Sequence, residues 1–183
     1  MQKKILIIGD SFSSLNVGWP SMLGQEIVNL SQNGVGEYKI FMQSKRYPLW
    51  QFSNIIVCHT SPWRVHAKTH PIHHKNAIRS ENDFLLADVE YHSTYNKDMK
   101  LVKNYLDKFL DLDYQKNIYE LLVNELKKIE NSIHITFHDK TDTDMIENNL
   151  NEIWKKNKGD INHMNLTGNR QVADIVKLSL IHI

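Results

Sequence analysis

The chain lacks the features that define several classes of protein. It has a single cysteine, Cys58, among 183 residues, so it cannot form an internal disulfide. Lysine and arginine number 22 and aspartate and glutamate 21, and this balance gives no global electrostatic reason to bind nucleic acid or an anionic membrane. With 41% hydrophobic and 23% charged residues, the composition excludes global disorder and a disulfide-stabilised scaffold and is typical of a globular protein.

Long apolar runs are also missing. The apolar run near the N-terminus covers residues 5–8 only, whereas a secretory signal needs about 7 to 15 apolar residues and a membrane-spanning helix about 18. No other stretch of the sequence reaches these lengths. The single cysteine is also compatible with a reducing compartment. We therefore expect a cytoplasmic protein without a membrane partner.

Short β-branched runs predict the strands of a sheet. Residues 5–8 end at Gly9, and residues 54–58 and 133–137 have the same apolar character. Residues 27–30 form a weaker candidate, because they also fit the end of a preceding helix.

Helical patterns lie between these runs. We predict helices over residues 19–26, 36–44 and 168–180, and two amphipathic helices between residues 96 and 131. The break between the two amphipathic helices is expected near Leu112 and Asp113, and Thr167 is expected to cap the last helix.

The alternation of strands and helices predicts the architecture. It indicates βαβ units, and therefore a three-layer α/β/α domain with a central, mainly parallel sheet. Because the sequence contains no repeat or linker, we expect one domain over residues 1–183. Residues 62–95 are the least regular, and we expect them to form a lid-like excursion over the edge of the sheet. Ligands of such folds bind at the carboxyl ends of the strands.

A first chemical signal lies at Gly9, Asp10 and Ser11, directly after the first predicted strand. The glycine allows a sharp turn, which places the Ser11 hydroxyl at the carboxyl end of the strand. The alternative is a turn in which Ser11 only caps a helix.

A second signal precedes the last predicted helix, where Asp160 and His163 are three residues apart. A serine hydroxyl is a poor nucleophile until an imidazole accepts its proton, and that imidazole needs a carboxylate on its other nitrogen. One tight loop can supply both groups. Taken alone, however, this spacing is common in surface loops.

Together, the two patterns resemble the SGNH (GDSL-type) hydrolase family. That family has Gly-Asp-Ser after its first strand and Asp-x-x-His before its last helix, and residues 163–170 are similar to its usual lead into that helix. The resemblance implies a flavodoxin-like fold and a serine esterase that cleaves a small acyl ester, such as an O-acyl group on a carbohydrate, without a cofactor. It implies that Ser11 is the nucleophile, that His163 is the base and that Asp160 orients His163.

The resemblance further implies an oxyanion hole. The N–H of Ser11 is one donor, and a glycine after the second strand is another, for which Gly36 fits best and Gly34 is close behind. The family places an asparagine in a Gly-x-Asn-Asp block after the third strand, and this chain departs from that pattern because Ser61 stands there. The other candidates for this third donor are Thr60, His59 and Arg64.

Three further residues are predicted to contact the substrate. They are Asp10, Trp63 and Arg64, of which Arg64 offers a fixed cation for an oxyanion or an acidic group. Six histidines crowd the middle of the chain, at His59, His66, His70, His73, His74 and His92. No cysteine or regular helical histidine spacing supports a metal site there, so we predict a polar loop and no metal.

The sequence also bears on two other classes of function. A binding module on the same fold, with weak or no catalysis, is the main alternative, since the Gly-x-Asn-Asp block is missing. A nucleotide-binding protein is set aside, because no glycine-rich phosphate loop lies between the first strand and the first helix.

Overall fold

The structure, a computed structural model, describes residues 4–14, 18–73, 82–159 and 163–181. The strands are β1 (Lys4–Gly9), β2 (Ile27–Asn29), β3 (Phe52–His59), β4 (Arg64–Val65), β5 (Phe84–Leu85), β6 (Ser132–Thr136) and β7 (Asn148–Asn149). The helices are α1 (Glu37–Gln43), α2 (Leu86–Ser93), α3 (Lys97–Phe109), α4 (Leu112–Lys127), α5 (Asn151–Lys156) and α6 (Leu166–Ile181).

Five strands form a parallel sheet in the order β2-β1-β3-β6-β7. Ile7 of β1 pairs with Ile56 of β3, and Ile56 in turn pairs with Ile133 of β6. Apolar, β-branched residues suit this inner part of the sheet, because it is covered on both faces. All four predicted strands, at residues 5–8, 27–30, 54–58 and 133–137, are confirmed, although β2 and β6 end one residue earlier than predicted, before Leu30 and Phe137.

Helices cover both faces of the sheet. Ile5 and Ile7 pack in a core with residues of α6, whereas Leu6 and Ile8 pack on the opposite face with residues of α1 and α4. Successive side chains of a strand point to opposite faces, so a continuous apolar run supplies both cores. The protein has the three-layer α/β/α architecture with a mainly parallel central sheet.

The prediction of a helix over residues 19–26 is wrong in extent. Only Trp19–Met22 is helical, as a single 3₁₀ turn. Gly24 follows with a φ of +72°, a left-handed conformation that an α-helix cannot contain. The chain thereby turns early enough to enter β2 at Ile27.

The prediction that Thr167 caps the last helix is also wrong. Helix α6 begins at Leu166, which places Thr167 inside its first turn. The side-chain oxygen of Asn165 instead accepts a hydrogen bond of 3.0 Å from the N–H of Gly168. Asparagine serves well here, because its short side chain reaches the unpaired N–H groups of a first turn.

The described residues of the 62–95 segment, which exclude 74–81, contain more regular structure than the sequence indicates. Strands β4 and β5 pair in an antiparallel two-stranded sheet, and α2 follows directly. Helices α2 and α3 pack together around the buried residues Val89, Met99 and Leu106. Among the described residues, none of the helices combines the length and the apolar character needed to cross a bilayer.

Candidate functional site

A cavity of about 440 Å³ opens at the carboxyl ends of the parallel strands. Its wall includes Ser11 after β1, Gly34 after β2, His138 after β6 and His163 before α6. Strand β2 lies on one side of β1, and β3, the next strand along the chain, lies on the other side. Ser11 follows β1 and therefore lies where the strand order changes direction. Ligands of open parallel sheets bind at this kind of position.

Close packing at Gly9 shapes the turn that carries Ser11. A Cβ atom at Gly9 would lie 2.5 Å from Oγ of Ser13 and 2.6 Å from Cβ of Cys58, so only glycine fits. Gln43 fixes the backbone there, because its Oε1 accepts from the N–H of Gly9 at 2.8 Å and its Nε2 donates to the Gly9 carbonyl at 3.2 Å. Ser11 follows two residues later and faces the cavity.

Asp10 lies beneath the cavity surface. Its side chain is only 1% exposed, and its Oδ1 accepts a 3.0 Å hydrogen bond from the N–H of Phe12. Sγ of Cys58 lies 3.9 Å from the same oxygen. Burial, and then the charge of Asp10, raise the pKa of Cys58 well above its usual value, so this thiol stays protonated and is not a nucleophile.

His163 contacts the Ser11 turn through an aromatic ring. The ring centroids of His163 and Phe12 are 5.6 Å apart, in an edge-to-face arrangement. His163 lines the same cavity as Ser11, so the structure brings these two predicted residues to one site. Asp160, the predicted partner of His163, lies outside the described residues.

The two candidate oxyanion glycines differ in their surroundings. The N–H of Gly36 donates a buried 2.6 Å hydrogen bond to Oδ2 of Asp83, and Gly36 is not part of the cavity wall. Gly34 lines the cavity and has a φ of +68°, which a side chain would strain. Of the two alternatives left open by the sequence, Gly34 is therefore the one in the cavity wall.

The residues after β3 have local partners. Oγ of Ser61 accepts from the N–H of Trp63 at 3.2 Å, and Ser61 is buried and is not part of the cavity wall. Oγ1 of Thr60 accepts from Nε of Arg64 at 3.3 Å. His59 is fully buried, with Nδ1 2.7 Å from Oε1 of Glu37.

Of the two other residues predicted to contact the substrate, one lies in the cavity wall and the other does not. Arg64 lies in the cavity wall, where its Nη1 donates to the carbonyl of Gly34 at 3.1 Å. The indole N–H of Trp63 instead donates to Oδ2 of Asp142 at 3.0 Å, and Trp63 is not part of the cavity wall.

Sequence reasoning missed several residues of the cavity wall. His138, Trp154 and Lys155 all belong to it. His138 comes two residues after β6, and that position was a usable signal, since parallel strands end at the same edge of a sheet. Within the described ranges, no group of three or more histidine, cysteine, aspartate or glutamate residues is arranged to hold a metal ion.

Comparisons with known proteins give distant structural likenesses. No family model and no curated protein matches the chain. One matching solved structure is that of a protein from Desulfitobacterium hafniense DCB-2, described provisionally as a lipolytic protein of the G-D-S-L family. It is 14% identical, with 97% of this chain and 99% of that chain covered, at a TM-score of 0.43. A likeness of this size carries no argument about the reaction.

Proposed function

We propose that the protein is a serine hydrolase of the SGNH type that cleaves a small acyl ester. The observation that carries this proposal is the shared cavity of Ser11 and His163, two residues from opposite ends of the sequence. The sheet topology supports it, because Ser11 lies at the switch in strand order.

The proposed reaction proceeds through an acyl-enzyme. Oγ of Ser11 attacks the ester carbonyl carbon while His163 accepts the hydroxyl proton, and Asp160 orients His163. Collapse of the tetrahedral intermediate breaks the bond to the alcohol, which leaves with a proton. Water then attacks the acyl-enzyme and releases the acid and Ser11.

The developing oxyanion needs preorganised donors. We assign this role to the N–H groups of Ser11 and Gly34, with Arg64 as a neighbouring cation. Loss of one such donor typically costs about 10²–10³ in rate. Aromatic rings of Phe12 and Trp154 form apolar parts of the same wall, which suits a small acyl group or a sugar ring.

Hydrolysis of p-nitrophenyl acetate and labelling by a fluorophosphonate test the proposal. We expect Ser11→Ala to abolish both while the melting temperature changes little, whereas Ser21→Ala, an exposed matched control, should retain both. The acid limb of kcat/KM should show an apparent pKa of about 6 to 7, from protonation of the base. Unchanged turnover in Ser11→Ala would refute the proposed nucleophile.

A binding module without catalysis is the second candidate. One observation favours it: the N–H of Gly36, a predicted oxyanion donor, already donates to Asp83. A pure binding module would bind acylated sugars or small esters equally well with and without the Ser11 hydroxyl. It would also show no fluorophosphonate labelling in the wild-type protein.

A further inference from the structure

Two buried polar atoms lie close to each other below the cavity. Oδ2 of Asp10 and Nε2 of His138 are 3.7 Å apart. Both atoms are inaccessible to solvent, and neither forms a hydrogen bond to any described residue. A buried carboxylate oxygen and a buried ring nitrogen without partners are rare, because each loses its hydration without replacement.

The distance is about 0.9 Å longer than that of a charge-assisted hydrogen bond, so a small rotation of the imidazole brings the two atoms into contact. The carboxylate can only accept, so the ring proton belongs on Nε2. Nε2 is buried, whereas 21% of the His138 side chain is exposed and His138 is part of the cavity wall. With Nε2 next to Asp10, Nδ1 is the remaining ring nitrogen.

Neighbouring residues hold the backbone of His138 and pack against its ring. Its N–H donates to Oγ1 of Thr136 at 3.3 Å, and its carbonyl accepts from Nδ2 of Asn149 at 3.1 Å. The ring stands edge-on to Phe12, with centroids 5.8 Å apart. Phe12 therefore contacts two imidazoles of the cavity wall, that of His138 and that of His163.

We propose that His138 is a second acid–base residue of this cavity and that Asp10 positions it. The proposal rests on the proposed hydrolase function and divides the proton transfers between two imidazoles. His163 accepts the Ser11 proton. The protonated His138 gives its Nδ1 proton to the oxygen of the leaving alcohol as the bond from that oxygen to the acyl carbon breaks.

The same assignment accounts for the second half of the reaction. The neutral His138 accepts a proton from the attacking water at Nδ1 while the water oxygen bonds to the acyl carbon. His163 returns its proton to Oγ of Ser11 as the acyl bond breaks. Both imidazoles finish in their starting states, so protons balance over one turnover.

Leaving-group dependence separates this role from a merely structural one. An aliphatic alcohol leaves poorly unless it is protonated, whereas p-nitrophenolate leaves well without an acid. For His138→Gln we expect kcat/KM to fall about 100-fold with an alkyl acetate and less than about fivefold with p-nitrophenyl acetate. Asp10→Asn should give the same selective pattern with a smaller loss, of about tenfold, because His138 remains but is misoriented.

Three outcomes distinguish the two proposals. If His138→Gln lowered kcat/KM equally for both esters, the proposed role of His138 would be overturned, whereas the role of Ser11 as nucleophile would stand. Hydrolysis that survives Ser11→Ala, or no hydrolysis of either ester by the wild type, would overturn the proposed function and this inference with it. Nitrogen-15 shifts of His138 provide a readout without turnover: the neutral ring should carry its proton on Nε2, and a proton on Nδ1 would overturn the orientation by Asp10.

Discussion

The N–H of Trp19 donates a 2.8 Å hydrogen bond to Oδ1 of Asn169, which joins the segment after β1 to helix α6. Nδ2 of Asn169 donates to the carbonyls of Met164 and Asn165, both at 3.0 Å. One amide side chain therefore fixes the residues that follow His163 against the residues that follow Ser11.

The isosteric change Asn169→Asp tests this link. A carboxylate cannot donate to two carbonyls, so we expect the free energy of unfolding to fall by about 1–3 kcal/mol. We also expect kcat to fall, because the loop of His163 shifts. Urea denaturation and ester hydrolysis measure the two effects. Asn124→Asp, an exposed change on α4, should alter neither, and equal effects of both changes would contradict the link.

Asp83→Ala should be strongly destabilising. The buried carboxylate accepts from the N–H groups of Gly36 and Ala67 and from Nζ of Lys39, at 2.6, 2.8 and 2.8 Å. Removing one partner of a buried ion pair costs about 3–5 kcal/mol. Asp107→Ala, which removes an exposed partner of Lys103, should cost less than about 1 kcal/mol. Equal urea midpoints for the two variants would refute the stabilising role of the buried Asp83 carboxylate.

Gly9→Ala should destabilise through close contact. The new methyl group would lie 2.7 Å from the carbonyl oxygen of Cys58, which belongs to the neighbouring strand and cannot move freely. We expect a loss of about 3 kcal/mol in thermal or urea unfolding. Gly24→Ala is the matched control: no atom lies within 4 Å of its Cβ position, so only its left-handed φ matters, at about 1 kcal/mol. A smaller effect at Gly9 than at Gly24 would contradict this packing.

The stability of the fold should decrease in acid because of His134. Burial, and then the neighbouring His59, lower the pKa of His134 from 6.5 to about 3. The unfolded chain therefore takes up a proton as the pH falls below 6.5, whereas the folded protein does not, and the stabilisation is lost progressively between pH 6.5 and about 3. Urea midpoints between pH 7 and pH 4 should decline less steeply in His134→Gln than in the wild type. Parallel declines would exclude this origin.

Ser61→Ala distinguishes two roles of one hydroxyl. Its Oγ accepts from the N–H of Trp63, so the change should cost about 1 kcal/mol of stability. Because Ser61 is not part of the cavity wall, we expect kcat to change less than about threefold. A loss of tenfold or more in kcat with constant KM would instead return Ser61 to the oxyanion hole, as the sequence resemblance implies.

The sheet could be predicted because its signal is local. Runs such as residues 5–8 are apolar at every position, and only a strand covered on both faces needs that pattern. The end of the turn at Trp19–Met22 was not predictable in this way, since it depends on the φ of Gly24 and on the entry into β2. Thr167 and Asn165 both suit a cap, and only the backbone geometry decides between them.

Some residues of the site could be predicted from their positions next to strands and helices in the sequence. Ser11 and His163 each follow or precede a recognisable element, and the cavity contains both. The choice between Gly34 and Gly36 depends on Asp83, a distant residue whose pairing with Gly36 has no sequence signal. Asp10 and His138 escaped notice as a pair, because their proximity arises from β1 and β6 lying two strands apart in one sheet.

The outermost strands of the sheet are short, which limits edge-to-edge pairing with another chain. The sheet ends at β2 and β7, which are three and two residues long. An exposed strand edge is a template on which another chain can add a strand, and its hazard grows with the number of unpaired backbone groups. Edges this short expose few unpaired backbone groups for pairing with another chain. The longer, apolar inner strands are covered by β2 and β7 and are therefore not available for such pairing.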